Sequence, residues 1–307
     1  MFVIMKFKMA LALFLILCES AICRKQTCKG NPVAAKKCQE VHGRGMKQKC
    51  MSNSACSFDN TKKLTLVLVH GYLGGSLQWI AQIKAFSKYF NVIRPDLPGY
   101  GHNGKLHAPE TIGGYAQYVL EAVDKEGIDS FHLLGHSMGG MIAQEIVACA
   151  PERVNKLILY GTGPIGVMPG RFESIEVSKQ RLIEQGVEKS ARRISAKWFV
   201  NGTGSHAYQG CADIAVQASS QAAIAGLNAM QAWSGREALI KITSSTLVLW
   251  GEEDKSYLWP LPEELWKQIP NASLSVVAGC SHAVHMENAQ LFNSVVLNFL
   301  TTKASAT

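Results

Sequence analysis

Apolar and polar positions along the chain alternate between two periods. Leu64-Thr65-Leu66-Val67-Leu68-Val69 is a continuous apolar, β-rich run that stops at His70-Gly71. That is the pattern of a strand buried on both faces, and hence of a parallel sheet. A helical stretch near Ser76–Ser87 follows, then a strand at Asn91–Arg94, a turn-rich Pro95–Gly101 and a helix from about Thr111 to Glu126. Next come a strand at Phe131–Leu134, a helix over Met138–Ala150 stopped by Pro151, and a strand at Val154–Tyr160. This alternation predicts βα units joined by right-handed crossovers. It lapses between Gly161 and Ile242, where Ala, Gln and Ser abound and no buried-strand run occurs, so this stretch reads as a helical insertion. It resumes with a strand at Thr246–Trp250, a helix near Pro262–Ile269, a strand at Ser273–Ala278 and a closing helix from about Ala289. Upstream, Val41-His42-Gly43 followed by Met46–Met51 predicts a hairpin leading into the sheet.

Composition narrows the class without changing this pattern. The 307 residues are 47% hydrophobic and 18% charged, with 27 Gly and 10 Pro, which excludes collagen-like, disordered and multi-pass membrane chains. The length fits one domain carrying an insertion. The formal charge of +8 is concentrated at one end: residues 1–63 hold 12 Lys and Arg against 3 Asp and Glu, while the other 244 residues set 19 basic groups against 20 acidic ones. A nucleic-acid face on the body of the protein is therefore not expected.

Within the basic end, Lys6 and Lys8 precede the apolar run Met9–Cys18 and the small-residue stretch Ser20–Cys23, the layout of a secretory signal peptide over residues 1–23. Secretion or a periplasmic location is the expectation, with an uncleaved membrane anchor as the alternative reading of the same segment. Of nine Cys, six fall at 18, 23, 28, 38, 50 and 56. After cleavage, Cys28, Cys38, Cys50 and Cys56 would remain in a Lys/Cys-rich segment (24–60), enough for two disulfides in three pairings. A four-thiolate zinc site is the rival, weakened because no two of these Cys lie two to four residues apart.

The candidate chemistry starts at Gly135-His136-Ser137-Met138-Gly139, a G-x-S-x-G match that follows a predicted strand and opens a predicted helix, as a nucleophile elbow requires. A serine hydroxyl needs a base, and the base needs an orienting acid. On a parallel sheet all three sit after carboxyl ends of strands, which selects Asp254, after Thr246–Trp250, and His282, after Ser273–Ala278. Glu252, Glu253 and His285 are the competitors. The oxyanion formed on attack needs two N–H donors. Met138, at the helix N-terminus, offers one; the loop His70–Gly75 offers the other, at Tyr72 with Leu73 as its neighbour. Asp96 reads as a turn residue near Gly99 rather than the acid.

From about Leu64 onward these motifs resemble the α/β-hydrolase superfamily: His70-Gly71, Asp96–Gly101, Gly135–Gly140, Gly251–Asp254, and Ser281-His282 with Glu287 five residues later. Ser281–Glu287 is similar to the C-terminal motif of meta-cleavage C–C hydrolases, and Ala229–Leu239 with Leu247–Gly251 to enol-lactonases. Ser137 departs from the dehalogenases and epoxide hydrolases of this scaffold, which carry an aspartate nucleophile. The absence of a His-Gly-Gly-Gly motif disfavours long-chain lipid activity. The resemblance implies a doubly wound, mostly parallel sheet (core 61–163 and 243–307) with a helical cap at 164–242 inserted after the sixth strand. In that cap Trp198, Trp233, Phe199 and Met230 are candidate apolar lining, and Arg192 or Arg193 a candidate carboxylate clamp.

The expected activity is that of a serine hydrolase on an ester, lactone or activated C–C bond of a small apolar or aromatic-derived substrate, with a covalent intermediate and neither metal nor organic cofactor. Acyl transfer by the same residues and non-catalytic ligand binding are the alternatives. Oligomeric state is not legible.

Overall fold

The computed structural model describes residues 63–302. The leader, the Lys/Cys-rich segment with its four Cys, and the hairpin expected at 41–51 lie outside the described residues. Six strands form one all-parallel sheet: β1 (Thr65–Val69), β2 (Asn91–Ile93), β3 (Phe131–His136), β4 (Val154–Tyr160), β5 (Ser245–Gly251) and β6 (Ala272–Val277), in the order β2-β1-β3-β4-β5-β6. Strands β1 and β3 are buried at every position, which is why β1 appears in the sequence as a near-continuous apolar run rather than an alternating one, while β3 carries His132 and His136 as buried polar members.

Helices cover both faces. On one side α1 (Ile80–Phe86) and α9 (Ala289–Thr301) pack Trp79, Phe86, Phe292 and Val296 against Leu66, Leu68, Leu134 and Ile158. On the other, α2 (Ile112–Lys125) and α3 (Met138–Cys149) pack Tyr115, Val119, Met141 and Ile142 against Val67, Leu133 and Leu157. Alternate residues of one strand thus feed opposite cores. The start of α2 is fixed locally, because the Thr111 hydroxyl accepts the Gly114 N–H at 3.1 Å and so satisfies a donor that the first turn leaves free.

Between β4 and β5 the chain leaves the sheet and builds three helices: α4 (Ile175–Ala196), α5 (Tyr208–Ala215) and α6 (Ser220–Gln231). Helix α7 (Pro260–Gln268) and the short α8 (Val284–Glu287) complete the core. Among the described strands the cap follows the fourth; the expected count of six includes the hairpin expected at 41–51, which lies outside the described residues. α4 is two helical pieces, because Gly186 has φ 78° and ψ 171° in its middle, a backbone conformation open to glycine and costly to other residues. No helix among the described residues is long and apolar enough to cross a membrane.

Candidate active site

The strand order places the loops after β1 and β3 side by side at the carboxyl edge of the sheet, where open α/β sheets bind ligands. Ser137 follows β3 directly and takes φ 58° and ψ −122° before α3 begins. A non-glycine residue in this region is strained, and the surroundings must hold it there. Its N–H donates to the Tyr160 carbonyl at 3.0 Å, and its carbonyl accepts from the Gly140 N–H and the Thr162 hydroxyl, both at 2.8 Å. The turn is tight enough that a Cβ on Gly135 would lie 2.1 Å from the Gly139 carbonyl oxygen, so the glycines of G-x-S-x-G are steric requirements here.

The loop after β1 comes equally close. A Cβ on Gly71 would sit 2.8 Å from the Ser137 Cβ and 3.3 Å from its Oγ; only bare backbone fits against the serine. Gly74 N–H closes a turn onto the Gly71 carbonyl at 3.0 Å, with Tyr72 and Leu73 at its corners and Leu73 at φ 54°, the positive angle that a type II turn requires at its third residue. The buried His70 imidazole holds this loop: Nδ1 donates to the Gly71 carbonyl, and Nε2 accepts the Leu97 N–H, both at 2.9 Å. That pairing makes the ring neutral, in agreement with burial, which pulls its pKa down.

Asp254 and His282 approach from β5 and β6. His282 Nδ1 lies 2.8 Å from Asp254 Oδ2, with both side chains buried. The other carboxylate oxygen accepts the N–H groups of Ser256 at 2.7 Å and Tyr257 at 3.1 Å. These three contacts hold the carboxylate in place, and its pairing with Nδ1 orients His282 so that Nε2 is the nitrogen left to accept a proton. The backbone of His282 is held separately, its carbonyl accepting the Tyr160 hydroxyl at 2.8 Å and His136 Nε2 at 3.0 Å. His136 and His285 complete a buried ring cluster with Tyr160 and Trp79. Desolvation pushes the His136 pKa far down and that of His285 to about 3. His285 therefore stays a neutral core group rather than a competing base.

Ser137 and His282 line one cavity together with Tyr72, Met168, Arg171, Phe172, Ile194, Trp198, Met230, Ser256 and Tyr257. It is small, about 20 Å³, roughly the room of one water molecule. A larger groove of about 640 Å³ runs near the amino ends of β4–β6 beside α9, but neither imidazole nor carboxylate lines it. The Tyr257 ring stacks on His282 with centroids 5.6 Å apart, and its buried phenol lies against Ser137 and Thr162 without a well-formed hydrogen bond. The cap is fastened to the loop that carries His282. Ala283 N–H donates to the Trp198 carbonyl at 3.0 Å, while the Glu287 carboxylate accepts the Val200 N–H at 2.7 Å and the Ser281 N–H at 2.6 Å.

The sheet-borne candidates Ser137, Met138, Tyr72, Leu73, Asp254 and His282 thus gather at one edge, and Trp198 and Met230 reach the cavity from the cap. Four cap candidates do not. Arg192 is exposed and pairs with Glu188 and Asp213; Arg193 directs two N–H groups into Glu173 at 2.7 and 3.0 Å. Trp233 is not among the cavity-lining residues, and its Nε1 donates to Glu145 at 3.0 Å. Phe199 is buried in the core outside the cavity wall. Sequence reasoning missed Met168, Arg171, Phe172, Ile194, Ser256 and Tyr257. The last two had a signal, since they follow Asp254 within three residues at the same sheet edge.

The family model for the alpha/beta hydrolase fold matches residues 65–289. A 2-hydroxy-6-oxononadienedioate/2-hydroxy-6-oxononatrienedioate hydrolase of Pseudomonas putida is 30% identical over 254 residues, 78% of this chain and 88% of its own. A pimeloyl-[acyl-carrier protein] methyl ester esterase of Vibrio campbellii is 27% identical over 251 residues, covering 76% of this chain and 93% of the esterase. Among solved structures, the enol-lactonase of Burkholderia xenovorans LB400 superposes with a TM-score of 0.72 at 24% identity, over 78% of this chain and 92% of the other. These relatives are a hydrolase and a methyl ester esterase, and the chain belongs to the α/β-hydrolase fold family as a hydrolase.

Proposed function

We propose that the protein is a serine hydrolase of small carbonyl substrates, esters or lactones first, in which Ser137, His282 and Asp254 act as nucleophile, base and orienting acid. The observation that carries this reading is the 2.8 Å pairing of His282 Nδ1 with Asp254 Oδ2, which leaves Nε2 as the proton acceptor in a cavity shared with Ser137. Ser137 Oγ adds to the substrate carbonyl while His282 Nε2 takes its proton. The resulting oxyanion accepts N–H groups from Met138, the first helical residue of α3 and without an intrahelical acceptor, and from Tyr72 in the loop pressed against the serine. Collapse expels the alcohol, which His282 protonates. Water, deprotonated by the same imidazole, then releases the acid and restores Ser137. Because the cavity holds about one water molecule, substrate entry requires the cap to part from the sheet edge. A fluorophosphonate probe tests the assignment: wild-type protein should be labelled at Ser137, and Ser137→Ala should not. Labelling of another residue, or none, would overturn it.

A further inference from the structure

Arg171 stands in the loop that enters the cap, directly after Gly170 (φ 73°), and lines the cavity of Ser137 and His282. It is the one Lys or Arg among the described residues that line this cavity. Its polar contacts are weak and uncharged: Nη1 donates to the Glu173 carbonyl at 3.2 Å and to the Ser178 hydroxyl at 3.3 Å. The guanidinium lies over the Phe172 ring, 4.8 Å from its centroid.

The neighbouring carboxylate is already committed. Glu173, its side chain 7% exposed, takes two N–H groups from Arg193 and an ion pair from Arg181 at 3.2 Å. Its Oε1 also accepts the Ser178 hydroxyl. Three arginines therefore surround one carboxylate, and among the described residues no acid lies within ion-pairing distance of Arg171. A guanidinium stays charged at any working pH, so a partly desolvated, unpaired one beside a reactive serine is costly unless a ligand supplies the anion. Its planar fork matches a carboxylate in particular. The wall between, Met168, Ile194, Trp198 and Met230, is apolar.

We propose that Arg171 receives a carboxylate carried by the substrate. The site then takes short anionic carbonyl compounds, half-esters of dicarboxylic acids or lactones bearing a carboxylate, with an apolar spacer between the anion and the carbonyl that Ser137 attacks. This rests on the serine-hydrolase reading above and adds the substrate class to it.

The test uses the full chain and phenyl esters in matched pairs: monophenyl succinate, glutarate and adipate against phenyl butyrate, pentanoate and hexanoate, each corrected for spontaneous hydrolysis. The readout is the ratio of kcat/KM for the anionic and neutral member, taken within one protein so that a loss of folded enzyme cancels. Wild type should prefer the half-ester at one chain length or more. Arg171→Gln should lower that ratio roughly ten- to a hundredfold, chiefly through KM of the half-ester; Arg171→Lys should fall between, and Arg192→Gln should keep the wild-type ratio. A wild type that is labelled by the fluorophosphonate yet shows no such preference, or an Arg171→Gln ratio equal to wild type, overturns this inference and leaves serine hydrolysis standing. A wild type that neither labels nor cleaves any ester overturns both.

Discussion

At the carboxyl edge of the sheet each chemical group follows its strand within a few residues: Ser137 is the first after β3, Tyr72 the third after β1, Asp254 the third after β5 and His282 the fifth after β6. In the cap the reactive-looking groups follow nothing of the kind. Arg192 and Arg193 are neighbours on one helix, yet one pairs with surface acids and the other with a half-buried glutamate, while the arginine that reaches the cavity sits in a loop ahead of that helix. Strand ends impose position, because the ladder fixes where each chain emerges. A helical layer without a ladder takes its orientation from packing against the sheet below.

Three measurements would break or sharpen that contrast. The largest effect belongs to the edge. Asp254→Asn should lower kcat/KM by about three to four orders of magnitude: its carbonyl would take the Ser256 and Tyr257 N–H groups, turning its amide toward His282 Nδ1 and forcing the wrong tautomer. Steady-state kinetics checks this, and a loss under tenfold would deny Asp254 the orienting role. In the cap, Glu173→Gln should cost stability rather than chemistry. It removes the one charge that joins Arg193 and Arg181, and breaking such a buried pair costs about 3–5 kcal/mol where desolvation is complete; hydrogen exchange in α4 should rise well before exchange in β3. Equal exchange in both would show that cap and sheet form one cooperative unit.

The smallest effect per group is set by pH. His70, His136 and His285 are buried with pKa values below the ordinary 6.5, that of His285 at about 3, in each case because burial disfavours the charged ring. The unfolded chain binds protons at these sites that the folded one refuses, so stability should be complete above pH 6.5 and decline as pH falls below it. The slope is at most about 1.4 kcal/mol per pH unit for each group. Denaturant midpoints at pH 7.5, 6.0 and 5.0 give the slope; a flat series would mean these rings titrate normally. His132, near the amino end of β3 and lowered by burial to about 4, adds to this slope, so the acid loss should be spread over the sheet and spare α4.

The same contrast explains what could be read in advance. The βα alternation was legible to within a residue or two because buried parallel strands leave near-continuous apolar runs, as in β1 and β5, and because Pro151 marks the end of α3. The choice of Ser137, Asp254 and His282 as candidates followed from topology: once the strands were placed, few polar residues stood after their ends, and the structure brings these three to one sheet edge. The cap defeated the same reasoning for a specific reason. Gly186 breaks α4 into two pieces, so the helical period before it has no phase relation to the period after it, and Arg192 and Arg193 could not be assigned a face. Arg171 escaped because a loop has no period, and its significance depends on Glu173 being occupied by other arginines, a property of three-dimensional neighbours alone.

The joint between cap and sheet limits how caps can be exchanged. Glu287 grips a cap residue and the residue before the base with the same carboxylate, and the Trp198 carbonyl takes the N–H immediately after it. Elsewhere the cap is held by contacts that do not touch the His282 loop, such as the Tyr72 and Tyr100 hydroxyls on the Ala223 and Ala222 carbonyls and Gln221 on Ala108. At this seam the contacts do touch it, and a cap that shifted its Trp198–Val200 corner would drag the imidazole away from its serine. Grafting a foreign cap onto this sheet would therefore succeed only if the graft brought its own side of the seam with it.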